Sequence, residues 1–258
     1  MEYVIIGIAA LLTSLLTFIS GFGLGTLLMP VFAVFFPIQT AISLTAVVHF
    51  LNNLFKLLLI GRAANRDIVI RFGVPAIAGA AIGAYLLSCL SDAGTLYSYT
   101  LGSIKKDVSF LKFLIGALII LFAFLELKPL GFRRSGKVAG PLTVGGLLSG
   151  FFGGLSGHQG ALRSAFLIKL GLSKEAFIAC GIIIATFIDV TRLSIYFSNF
   201  DLALLSQNTT YLVVGTLSAF AGAFAGKLLL KKVTLAFVHV FVAAALFLLG
   251  FAMMAGLV

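Results

Sequence analysis

From residue 3 to residue 256 the sequence is a succession of apolar runs with very little polar sequence between them. Runs of about 20 apolar residues are too long for the elements of a soluble core and match the hydrocarbon thickness of a bilayer. Such runs lie near 3–19, 40–60, 68–89, 109–127, 138–155, 174–197, 207–230 and 233–256, with shorter ones near 24–36 and 160–170. A mean hydropathy of +1.19 with only 10% charged residues leaves no room for a soluble domain. The chain therefore reads as an all-α polytopic membrane protein.

The runs fall into two sets of five, and each set carries a polar, glycine-rich break between its first two members. The first break is Ser20-Gly21-Phe22-Gly23-Leu24-Gly25; the second, 136 residues later, is Ser156-Gly157-His158-Gln159-Gly160-Ala161. Broken helices at corresponding places in two halves point to the substrate site of a transporter. The short helices beside each break are either re-entrant or thin spans.

Basic residues cluster at Arg62, Arg66 and Arg71; at Lys128, Arg133, Arg134 and Lys137; at Lys169 and Lys174; and at Lys227, Lys231 and Lys232. Loops rich in Lys and Arg stay in the cytoplasm. In the 91–108 loop Lys105 and Lys106 are offset by Asp92 and Asp107, and the loop around 198–207 has no basic residue, so both face outward. On this threading 40–60 runs inward and its counterpart 174–197 runs outward. The expected organisation is thus a first repeat over 1–127, a cytoplasmic linker over 128–137 and an inverted second repeat over 138–258, with both termini outside. Gly79 with Gly83, and Ser218, Gly222 and Gly226, add small-xxx-small spacing at matching places, which lets helices approach closely.

A net charge of +10 would suggest nucleic acid in a soluble protein, but here the basic residues sit in short loops, and nucleic acid is excluded as a partner. Cys89 and Cys180 have neither CxxC spacing nor a nearby histidine, so no disulfide framework, metal or other cofactor is expected. The start Met1-Glu2-Tyr3 has no basic n-region, so the first run reads as a retained membrane segment.

Polar side chains inside spans are costly and need a partner or a task. Ser156, Gly157, His158 and Gln159 lie in the second break, with Arg163 in the first turn of the helix that follows. Backbone N–H groups at that helix start and a guanidinium beside them make an anion site. The alternative is structural: Arg163 pairs with a carboxylate and His158 caps a helix. His49, Asn52, Asn53 and Lys56 share one helical face at i, i+3, i+4 and i+7. Lys56 either joins the site or snorkels to the cytoplasmic surface, and His49 either joins the site or is a satisfied core histidine. Asp189 and Arg192, with Thr186 and Tyr196 on the same side, match Asn53 and Lys56 after a shift of 136. They have a coupling role or form an intrahelical ion pair. Ser20, Gly21 and Gly23, with Thr26, are the first break's contribution; Thr45 is left unassigned.

The run Gly21-Phe22-Gly23-Leu24-Gly25-Thr26-Leu27-Leu28-Met29-Pro30, the helix start Ala41-Ile42-Ser43-Leu44-Thr45 and the return of that layout over 145–232 resemble the TauE/SafE family of sulfite and organosulfur anion exporters. The resemblance covers almost the whole chain. The second copy departs from the pattern at His158 and Gln159, where glycine or an apolar residue is usual, and has no proline at Phe166. What the resemblance implies is export of a small sulfur-containing anion, such as sulfite or a sulfonate, across a prokaryotic cytoplasmic membrane. The residues independently favour an anion, because Arg163, Arg192, Lys56 and the histidines outnumber Asp189. His158 or His49 is the candidate for proton coupling.

Two other readings stay in view. A passive anion channel needs the same basic lining. Gly154-Leu155-Ser156-Gly157 matches the GxSG pattern of rhomboid intramembrane proteases, with His239 on a later span as the base. That reading leaves the repeat and Arg163 unexplained.

Overall fold

The computed structural model describes residues 1–20, 24–91, 93–101, 104–127, 141–199, 206–229 and 235–257. Its helices follow the apolar runs closely. In chain order they are α1 (Glu2–Ser20), α2 (Leu24–Ala33), α3 (Ile38–Ile60), α4 (Arg66–Leu90) and α5 (Phe110–Leu127). There follow α6 (Leu142–Ser156), α7 (Gly160–Leu167), α8 (Lys174–Asn199), α9 (Thr209–Leu229) and α10 (Leu235–Met254). Among the described residues, four helical stretches are long and apolar enough to cross a membrane: Ile38–Ala63, Arg66–Leu90, Lys174–Asn199 and Thr209–Leu229. Large apolar side chains such as Leu58, Ile70, Leu217 and Phe251 point outward on several helices, as a lipid-facing surface requires. The protein is a multi-pass membrane protein. The expected linker at 128–137 lies outside the described residues.

The segment between α4 and α5 differs from the simple loop expected of it. Thr95–Leu101 (β1) and Ile104–Ser109 (β2) pair antiparallel, with Tyr97 opposite Val108 and Tyr99 opposite Lys106. Tyr97 and Tyr99 donate their hydroxyls to the carbonyls of Met254 and Ala255, fastening the hairpin to the end of α10. The run Thr-Leu-Tyr-Ser-Tyr-Thr-Leu is rich in strand-forming types, which is the signal for it.

Packing between the two sets is reciprocal. α4 lies along α6, and its counterpart α9 lies along α1; α4 also meets α8, and α9 meets α3; α5 meets α10, and α3 meets α8. Contact registers give the directions. Gly146, Gly150 and Gly154 of α6 face Phe72, Ala76 and Ala80 of α4 in ascending order, so these two run parallel. Gly7 of α1 lies beside Val214 and Ser218, and Leu11 beside Gly222, so α1 and α9 also run parallel. Phe124 meets Phe247 while Gly116 meets Met254, so α5 and α10 are antiparallel. Asn65, just past α3, donates its N–H to Cys180 Sγ near the start of α8, whereas Asn53 and His49 further back meet Asp189 further on. The counterparts α3 and α8 therefore run in opposite directions, as an inverted repeat demands.

Candidate functional site

The α6–α7 break is made by glycine. Gly157 has φ of +81°, a left-handed conformation that ends α6, and its N–H reaches the Gly153 carbonyl at 3.0 Å. A Cβ at this position would also come within 2.9 Å of Arg192 Nη1. The break therefore lays bare backbone against a guanidinium. Gly25, in the first turn of α2, packs on the same spot: a Cβ there would lie 3.2 Å from the Gly157 carbonyl oxygen and 3.6 Å from the His49 ring. The start of α2 thus meets the α6–α7 break. Gly21 and Gly23 fall outside the described residues, as does the side chain of Ser20, the last residue of α1.

His158 is buried and stacked on Phe122, with ring centroids 5.4 Å apart. Its Nδ1 is 2.9 Å from the Ser156 carbonyl, and because a carbonyl only accepts, Nδ1 carries the proton and donates. Nε2 is buried with no partner. Gln159 links the break to what surrounds it: its Oε1 accepts from Arg163 Nη1 at 3.1 Å, and its Nε2 donates to Asp189 Oδ1 at 3.4 Å. Ser149 Oγ donates to the Gln159 carbonyl at 2.9 Å and holds the turn. Ser156 Oγ donates to the Phe152 carbonyl within its own helix, at 3.1 Å. That is backbone bonding within its own helix, and His158 Nδ1 also lies 3.0 Å from Ser156 Oγ; the His239 side chain lies outside the described residues.

Asp189 is the centre of the cluster and is wholly buried. Its Oδ2 accepts from His49 Nδ1 at 2.6 Å and from Asn53 Nδ2 at 2.9 Å. Its Oδ1 accepts from Arg192 Nε at 3.0 Å and takes Arg192 Nη2 at 2.8 Å, besides the Gln159 amide. The intrahelical pair considered for Asp189 and Arg192 is therefore present, but it is one part of a larger set. Asn53 and Asp189, the two positions that the 136-residue shift aligns, are thus in direct contact. Arg192 Nη1 reaches on to the Gly153 carbonyl at 3.4 Å, and Tyr196 donates its hydroxyl to the Gly154 carbonyl, tying α8 to the end of α6.

The polar face of α3 divides. His49 and Asn53 turn to Asp189, while Asn52 and Lys56 turn to α1. Lys56 Nζ donates to Thr17 Oγ1 at 3.3 Å and stands 5.9 Å over the Phe18 ring. Asn52, with its amide oriented to donate to the Ala219 carbonyl at 3.1 Å, accepts from Lys56 Nζ at 3.2 Å and meets Ser14. Lys56 is buried and does not snorkel to the surface. Ser14, Thr17, Ser149 and Phe122 are partners the sequence reading had not singled out. The hydroxyls of α1 at i and i+3 were the available signal for two of them; nothing local marks Phe122.

Among the described residues the buried formal charges are Lys56, Arg163 and Arg192 against Asp189, three positive minus one negative, an excess of two positive charges. Arg163 stands within electrostatic reach of both Lys56 and Asp189. Unbalanced charge is expensive inside a low-dielectric interior and is relieved by an opposite charge or by a change of protonation. Of the remaining sequence candidates, Thr186 bonds the Ile182 carbonyl of its own helix. Thr45 has a buried hydroxyl without a partner. Cys180 is buried and accepts the Asn65 N–H at 3.2 Å. No group of His, Cys, Asp and Glu among the described residues is arranged to hold a metal ion.

The family model described as sulfite exporter TauE/SafE matches residues 6–253, which is nearly the whole chain. No curated protein matches it.

Proposed function

The chain belongs to the TauE/SafE family of membrane transporters, and on that premise we propose that it exports a small sulfur-containing anion, sulfite, a sulfonate or a similar species, across a prokaryotic cytoplasmic membrane by alternating access. The observation that carries the reading is the excess of buried positive charge where the start of α2 meets the α6–α7 break. Arg163 supplies the charge, with Lys56 behind it. Gln159, Asn52, Asn53 and the N–H groups around both breaks, from Ser20, Gly21 and Gly23 on one side and from Ser156, Gly157 and His158 on the other, offer hydrogen bonds. The repeats 1–127 and 138–258, joined by the 128–137 linker, rock against one another and open the site to each side in turn. The basic clusters around Arg62, Lys128, Lys169 and Lys227 mark the cytoplasmic ends, which leaves both termini and the hairpin outside. His158 or His49 carries a proton with the anion.

The burial of His49, Arg163, Asp189 and Arg192 supports a carrier over a channel, since no member of the cluster lies open to water. Flux that saturates with anion concentration is expected, and a linear flux would favour the channel. The site is tested on purified protein by thermal stabilisation with sulfite, thiosulfate, sulfonates and carboxylates, because a ligand bound only by the folded state raises apparent stability. Arg163→Ala is expected to weaken binding of the stabilising anion by about 30-fold or more, the scale of losing a buried charge partner. Unchanged affinity would remove Arg163 from the site.

A further inference from the structure

Asp189 has more donors than an ion pair needs. Arg192, three residues on in the same helix, already donates to it from Nε and pairs its charge with it, Nη2 standing 2.8 Å from Oδ1. Three more donors arrive from elsewhere: His49 and Asn53 from α3, and Gln159 from the break. A carboxylate offers about four lone-pair positions, so these four hydrogen bonds fill it. Two of them, from Asn53 and Gln159, come from groups that the proposed anion site also uses. From this geometry we infer that Asp189 is an internal counter-ion: it occupies the donors of the anion site while the site is empty, and a transported anion must take them from it.

The inference rests on reading the cluster as an anion site and says how that site is emptied. Without Asp189 the described cluster would hold Lys56, Arg163 and Arg192 with no negative charge among them, a state costly to bury and slow to give up an anion once bound. With Asp189 present, the empty and loaded states each have an anion on the shared donors. A ligand moves such an equilibrium only by the difference in its contacts with the two states, so the carboxylate keeps binding weak enough for release. Asp189 is thus a positioning residue that competes with the substrate and does not contact it. The same place on α3 is the neutral Asn53, so one carboxylate serves both halves.

The full-length protein tests this by titration calorimetry with sulfite and by turnover in proteoliposomes. Asp189→Asn is expected to bind sulfite at least about tenfold more tightly while its turnover falls. A purely structural pair would do the opposite, losing affinity together with thermal stability. Folded Asp189→Asn that binds sulfite equally or more weakly overturns the inference. If that variant does not fold, the double variant Asp189→Asn with Arg192→Gln keeps the local charge balance, and it too must bind sulfite more tightly than wild type, because His49, Asn53 and Gln159 are released; affinity at or below wild type sinks the idea. A wild-type protein that binds none of the anions tested would instead overturn the anion reading itself, so the two failures are distinguishable.

Discussion

The α4–α6 seam and the α1–α9 seam are counterparts, yet they close to different degrees. Along α4–α6, a Cβ at Gly79, Gly83, Gly146, Gly150 or Gly154 would fall on backbone carbonyls of the facing helix. Along α1–α9 only Gly222 meets backbone so directly; Gly226 faces mainly the Phe18 side chain, and Gly7 faces Ser218 and Val214 side chains at 3.2 Å. The first seam is backbone on backbone and cannot yield; the second has side chains between its helices and can adjust. Each seam also delivers a different half of the cluster. The tight one carries the end of α6, whose Gly153 and Gly154 carbonyls receive Arg192 and Tyr196. The looser one carries Ser14 and Thr17, which serve Asn52 and Lys56. The half of the site that holds the charged pair is thus mounted on the stiffer support.

The largest expected effect would break this comparison directly. Gly154→Val drives side-chain carbon onto the Ala80 carbonyl and the Ala84 nitrogen, where no rotamer change relieves it. A loss of more than about 4 kcal/mol, seen as failure to recover monodisperse protein or as a collapsed melting transition, is expected. Gly226→Val in the other seam, where the nearest obstacle is Phe18, is expected to cost about half as much. Equal losses would abolish the distinction between the seams.

A second contrast sharpens the chemistry. Arg192→Met leaves Asp189 buried without its guanidinium and is expected to destabilise by about 3 kcal/mol. Lys56→Met removes an ammonium whose described partners are a hydroxyl and an amide, so about 1 kcal/mol or less is expected in thermal or denaturant unfolding. A Lys56 effect as large as that of Arg192 would mean that the two polar faces are equivalent after all. The smallest effect concerns protons. His158→Gln and His49→Gln are expected to keep folding intact while flattening the pH dependence of transport; a profile unchanged in both variants would dismiss the histidines as proton carriers.

Much of this arrangement was legible in the residues because lipid imposes a simple rule on them. Hydrogen bonds must be satisfied within a span, so apolar length maps onto helices, and glycine in an apolar run marks where a helix stops or another backbone approaches. That is why Gly157 and the spacing of Gly79 and Gly83 announced themselves. The 136-residue shift that aligned Asn53 with Asp189 proved to be a contact between them. The β-hairpin was not legible in the same way, since a short run of strand formers outside the membrane obeys no length rule. Phe122 is one aromatic among 26 phenylalanines, and no local pattern sets it against His158.

The sequence by itself determined which segments are helical, where two of them break, and which few polar groups must be hidden from lipid, because each of these follows from the free energy of placing a residue in hydrocarbon. Only the tertiary structure decided who faces whom. That Asp189 gathers donors from α3, from its own helix and from the α6–α7 break, and that Lys56 turns away to Thr17 instead, depends on the angles at which helices cross. Those angles are fixed by steric fit along the glycine seams, a property of pairs of helices that no single run of residues contains.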